Sequence, residues 1–213
     1  ARLRNSNNVV FGGLFMEKYS SGLVAESFWF IEFKSLIKLR YEGKSWDDIK
    51  ALCLNENLLG ISKEYRAKRI FGYLKNRIEV IEDGYLEIFM HTDLQTQKII
   101  NILASAKKNR LFFEFLYEVY REKVKLGALE LTASDINIFF KNKQEQDENM
   151  STWTDVTLRR LRSTYMNFLV DAGLLTISDK QKKITPPILD ITLENFLKDT
   201  GEMQLIKAIT GVS

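Results

Sequence analysis

At 213 residues and 24.8 kDa, with 45% hydrophobic residues, the chain is long enough to bury a core without disulfides, as one large domain or two small ones. A net charge of +3 with 28% charged residues excludes a histone-like polycation, so bulk charge names no partner. The single cysteine, Cys53, excludes an internal disulfide, and the lone histidine, His91, excludes the His pairs and triads of common metal sites.

Two prolines (Pro186, Pro187) and 11 glycines are too few turn-formers for a many-stranded sandwich or barrel, and the composition predicts helices. Residues 1–20 read as a flexible leader with no signal-peptide pattern. From Leu23 to Tyr41 apolar residues crowd more than one side of a helix, which predicts an element buried on several faces. Ser45 is placed to cap a helix whose first turn, Trp46-Asp47-Asp48, suits the helix dipole and which ends near Leu54. A turn with Gly60 follows, and Ser62 then caps a long basic helix to about Ile81, the pair forming a helix-turn-helix-like element. Tyr85 to Met90 is a short apolar piece of undecided type. Asp93 or Thr92 starts a helix to about Lys107, Arg110 to Leu126 forms another, and Ser134 caps a shorter one.

Lys141 to Met150 has almost no apolar content and reads as a linker or exposed loop. It suggests a helical domain over 21–143 and a winged-helix-like domain over 144–213. Thr152 can cap a helix to Ala172, with Gly173 as its left-handed stop. Leu174 to Ile177 and Ile184-Thr185 flank the polar turn Ser178 to Lys183, predicting a small hairpin with a basic tip. Asp190 or Thr192 begins a short helix through Leu197, and no repeat is evident. The expected fold is therefore mainly α: a compact multi-helix protein with helix-turn-helix-like elements and a small C-terminal winged-helix-type β-hairpin.

Charge is unevenly spread. Residues 1–80 carry +5, residues 81–150 carry −3 and residues 151–213 carry +1. In the basic helix Ala67, Ile70, Phe71, Leu74, Ile78 and Ile81 form one apolar stripe at about 100° per residue. Arg66 and Arg77 border it on one side, Lys68 and Lys75 on the other, and Arg69 lies nearly opposite, while Lys63 directly follows the Ser62 cap. A plain solvated helix and a phosphate-contacting one explain this equally well, and the cations can release counterions from a DNA backbone. In the late helix Leu158, Leu161, Tyr165, Phe168, Leu169 and Ala172 share the core face. Arg159, Ser163 and Asn167 occupy the far side, flanked by Arg160 and Arg162, residue types that meet phosphates and base edges. Lys180, Lys182 and Lys183 place positive charge on the hairpin.

Sites for chemistry are scarce. There is no Gly-rich phosphate loop, no Gly-x-Gly-x-x-Gly, no His-Glu-x-x-His and no Gly-x-Ser-x-Gly, so no nucleotide or hydrolase signature and no cofactor is expected. Cys53, among Leu52 and Leu54, reads as a small buried apolar residue, His91 as a surface or capping residue, and Asp47-Asp48 as a helix start.

The order of Phe28 to Ile37, Lys44-Ser45-Trp46-Asp47-Asp48-Ile49, Ser62 to Arg77, Thr152-Trp153-Thr154-Asp155-Val156-Thr157, Leu158-Arg159-Arg160-Leu161-Arg162 and Asp171-Ala172-Gly173-Leu174-Leu175 resembles the BrxA family of bacteriophage-exclusion (BREX) defence operons, over roughly residues 20 to 205. The resemblance implies a helical, non-enzymatic component of a phage-defence complex that binds double-stranded DNA and works beside other BREX proteins. It carries no catalytic residue across. The expectation is a cytoplasmic monomer with no membrane partner, contacting DNA phosphates through Lys63, Arg66, Lys68, Arg69, Lys75, Arg159, Arg160, Arg162, Lys180, Lys182 and Lys183. The alternative is a protein-interaction adaptor that docks a larger defence enzyme, with DNA binding incidental.

Overall fold

The computed structural model describes residues 18–81, 84–179 and 181–212. As the composition predicts, the chain is mainly helical, with one two-stranded antiparallel hairpin near its C-terminus. The described residues divide into two compact units, one within 28–108 and one within 109–212 together with 18–27. The division differs from the boundary at 143/144 suggested by the polar run. That run is no linker: Ala133–Gln146 is one helix, capped by Thr132 rather than Ser134, and Lys143 within it is buried.

In the 28–108 unit the helices are α1 (Phe30–Tyr41), α2 (Trp46–Asn55), α3 (Glu64–Glu79), α4 (Gly84–His91) and α5 (Leu94–Lys108). Ser45 caps α2 through a reciprocal box with Asp48, as expected, and Asp93 accepts from the Thr96 amide at the start of α5. The cap of α3 is Lys63, one residue beyond the expected Ser62. Tyr85 to Met90 proves helical. α5 supplies much of the core: Ile99, Ile100, Ile102, Leu103, Ala104 and Ala106 are all buried. The helix expected from Leu23 is broken before α1, where Gly22–Ala25 is a 3-10 turn and Trp29 is left-handed. The break turns the Phe28 carbonyl toward two donors, Arg77 Nη1 and Asn101 Nδ2, each at 2.9 Å.

The other unit holds α6 (Arg110–Phe115), which passes through a π-helical turn, Leu116–Tyr120, into α7 (Arg121–Lys125). Then come α8 (Ala133–Gln146), α9 (Glu148–Ser151), α10 (Asp155–Asp171), β1 (Leu175–Ser178), β2 (Gln181–Ile184), α11 (Ile191–Asp199) and α12 (Met203–Thr210). The cap of α10 is Thr154, two residues beyond the expected Thr152, and Gly173 has φ 76° as expected. Asp190 caps α11. The core is aromatic: Phe112, Phe115 and Phe140 each lie 4.8–5.7 Å from Tyr165 at their ring centroids. Within the leader expected over 1–20, residues 1–17 lie outside the described residues. Tyr19 is buried, its hydroxyl donating to Glu114 at 2.7 Å.

A candidate nucleic-acid interface

In chain order the second unit runs helix α6–α7, a bridging residue, helix α8, helix α10 and the β1–β2 hairpin. The bridging residue is Glu130, paired antiparallel with Lys183. Hydrogen bonds from the Leu131 amide to the Lys182 carbonyl and from the Ile184 amide to the Leu129 carbonyl add this segment to the edge of β2. The hairpin is therefore anchored beside α10 by a third short extended piece, which no local sequence pattern marked.

α10 divides as its periodicity predicts. Leu161, Tyr165, Phe168 and Leu169 are buried, while Val156, Arg159, Arg160, Ser163 and Asn167 are exposed. Neither Arg159 nor Arg160 lies within ion-pair distance of a carboxylate among the described residues. An open groove along this face is lined by Val24, Val156, Arg159, Arg160, Ser163 and Thr164, with no acidic residue among them. Arg162 is half-buried, its Nη1 donating to Asn137 Oδ1 at 2.9 Å. It lines a second groove, between α10 and β2, together with Ser163, Lys182 and Glu130.

The basic tip of the hairpin is corrected. β2 starts at Gln181, so Lys182 and Lys183 lie within the strand, opposite Ile177 and Thr176. Strand alternation sends their side chains to opposite faces, so they do not cluster. A short reversal at Asp179, φ 52°, replaces the six-residue turn because tight reversals with positive φ match the twist of paired strands. Lys180 lies outside the described residues.

On α3 the structure exposes Lys63, Arg66, Lys68 and Arg69, none ion-paired among the described residues. Lys75 is engaged, 3.6 Å from Glu79 and 5.8 Å from the centre of the Trp46 ring. Arg77 does not border the exposed surface: it is fully buried, donating to the Phe28 carbonyl and, at 3.2 Å, to Asn101 Oδ1.

Other reactive groups sit in quiet places. Burial pushes the Cys53 thiol up to about 11, far from the thiolate form at neutral pH. His91 closes α4, with Nδ1 2.8 Å from the Glu87 carbonyl. Among the described residues no group of three or more His, Cys, Asp or Glu could hold a metal ion. No helix among them is long and apolar enough to cross a membrane.

Fold and surface together define a helical protein with exposed cations on α3 and, beside an open groove, on α10. The chain belongs to the BrxA family of BREX phage-defence systems: the family model matches residues 17–201. A BREX protein BrxA from Bacillus cereus (strain H3081.97) is 32% identical over 184 residues, covering 86% of this chain and 92% of that protein. A crystal structure of an uncharacterized protein from Magnetospirillum magneticum matches with TM-score 0.78 at 19% identity, over 92% of this chain and 100% of that one, a likeness of fold.

Proposed function

We propose that this BrxA-family chain is a non-enzymatic accessory component of its BREX system, acting in the cytoplasm and binding double-stranded DNA chiefly through phosphates. One observation carries the reading: Arg159 and Arg160 stand on the outward face of α10, beside a groove with no acidic lining residue. The order of helices with a hairpin after α10 is that of a winged helix, in which the last helix enters the major groove. Arg162 and Lys182 add contacts from the groove beside the hairpin, and Lys183 adds one from the opposite face of β2. Lys63, Arg66, Lys68 and Arg69 supply a further cationic face on α3, where Lys75 contributes less because Glu79 neutralises it.

The test is titration of duplex DNA at several salt concentrations. Affinity should fall steeply with salt, and Arg159→Glu with Arg160→Glu should flatten the slope by about 0.9 for each phosphate no longer neutralised. Salt-independent binding, or none, overturns the proposal.

A second reading, the protein-interaction adaptor, is favoured by Leu126, Leu129 and Ile188, which are 80%, 83% and 96% exposed. Variants that lose DNA binding while keeping phage defence would favour it.

A further inference from the structure

Residues 18–25 lie in the same compact unit as α10, yet no backbone ladder ties them to it. Their own main-chain bonds close only a turn, the Val24 amide donating to the Ser21 carbonyl and the Glu26 amide to the Leu23 carbonyl. Among the described residues, the main chain of this strap reaches the rest of the unit through two side-chain amides. Asn149 Nδ2 donates to the Tyr19 carbonyl at 3.0 Å, and Asn109 Nδ2 to the Ser20 carbonyl at 3.3 Å.

Two side chains of the strap hold it down. The Tyr19 hydroxyl donates to Glu114 Oε2 at 2.7 Å and accepts from Arg110 Nη2 at 3.2 Å, and the Arg110 guanidinium and Lys143 ammonium lie 4.4 and 5.9 Å from the centre of the Tyr19 ring. Leu23 is fully buried where the 3-10 turn Gly22–Ala25 packs on α10. A segment fastened by side chains, with no shared backbone pairing, opens locally at a lower free-energy cost than unfolding the unit.

Its position matters for α10. Val24 stands in the lining of the groove that also holds Val156, Arg159, Arg160, Ser163 and Thr164. An α-helix with its side chains is about 10–12 Å across, and the major groove of duplex DNA is about 12 Å wide. α10 alone therefore fills such a groove. With the strap beside it the pair is too wide, and the Val24 side chain offers phosphates neither charge nor donor.

We propose that residues 18–25 are an autoinhibitory strap, latched by Tyr19, that must leave the flank of α10 before that helix enters a major groove. The inference rests on the DNA-binding reading above and deepens it by adding a closed state. Apparent affinity is reduced in proportion to the fraction of molecules whose strap is open, so loosening the latch raises affinity. A strap that was a permanent wall would behave in the opposite way, because loosening it would unsettle α10.

The full chain is compared with Tyr19→Phe and with Leu23→Ala, circular dichroism checking the fold of each. Tyr19→Phe removes one donor to Glu114 and leaves Lys143 and Arg110 on that carboxylate. Both variants should bind a short duplex more tightly, Tyr19→Phe by about tenfold, the ratio that one hydrogen bond to a charged group supports. When Arg159→Glu and Arg160→Glu are already present, the same changes should have no effect, since the strap then has no bound helix to obstruct.

Amide hydrogen exchange over residues 19–25 gives a second readout, which duplex should speed in the wild-type chain. Binding that is unchanged or weaker in both variants, or strap exchange that duplex slows, would overturn the strap while leaving DNA binding intact. No duplex binding by any of these proteins would sink the DNA reading and the strap with it.

Discussion

Two side chains show how burial sets the cost of a change. Tyr165 lies in the aromatic core and its hydroxyl has no hydrogen-bond partner among the described residues, so burial pushes its phenol far above the usual range. An unsatisfied buried hydroxyl is a penalty, and Tyr165→Phe should raise unfolding stability by about 1 kcal/mol in urea titrations. Glu114 is the opposite case. Burial pushes its carboxyl up, but hydrogen bonds from Lys143, Tyr19 and Arg110 outweigh that and hold it below the usual glutamate range. A carboxyl lowered in the folded state contributes stability that is present above its unfolded value and lost as pH falls through the folded one. Stability should therefore decline below about pH 4.5, near the free glutamate value. Glu114→Gln should abolish part of that decline and cost about 3 kcal/mol at neutral pH, since it leaves Lys143 and Arg110 short of their shared partner. Thermal unfolding across pH 3–7 for both proteins checks the sign.

At the scale of elements, two glycines make opposite demands. Gly72 sits mid-helix in α3 with open space where a side chain would go, so Gly72→Ala should stabilise the protein by about 1 kcal/mol through helix propensity. Gly211 ends α12 with φ 74°, and a Cβ there would collide with Val124. Gly211→Ala should cost more than about 1 kcal/mol, read as a lowered melting temperature.

For the whole molecule, the aromatic core decides where the chain divides. Phe112, Phe115, Phe139 and Phe140 pack with Tyr165 and Phe168, so α6, α8 and α10 form one hydrophobic cluster despite the polar run 141–150 between the last two. A fragment of residues 144–213 lacks Phe112, Phe115, Phe139 and Phe140 and should show no cooperative melting by circular dichroism. A cooperative transition in that fragment would restore a boundary at 143/144.

By itself the sequence determined most of the longer helices, several of their caps and the outward placement of Arg159, Arg160, Lys68 and Arg69. These follow from a period of about 3.6 residues and from capping chemistry, both of which act within one or two turns. Only the tertiary structure decided that Arg77 turns inward to the Phe28 carbonyl, that Lys143 is buried against Glu114, and that Glu130 joins the hairpin edge. Each of these pairs residues from 29 to 53 positions apart, a separation at which neither periodicity nor local hydrogen bonding carries information.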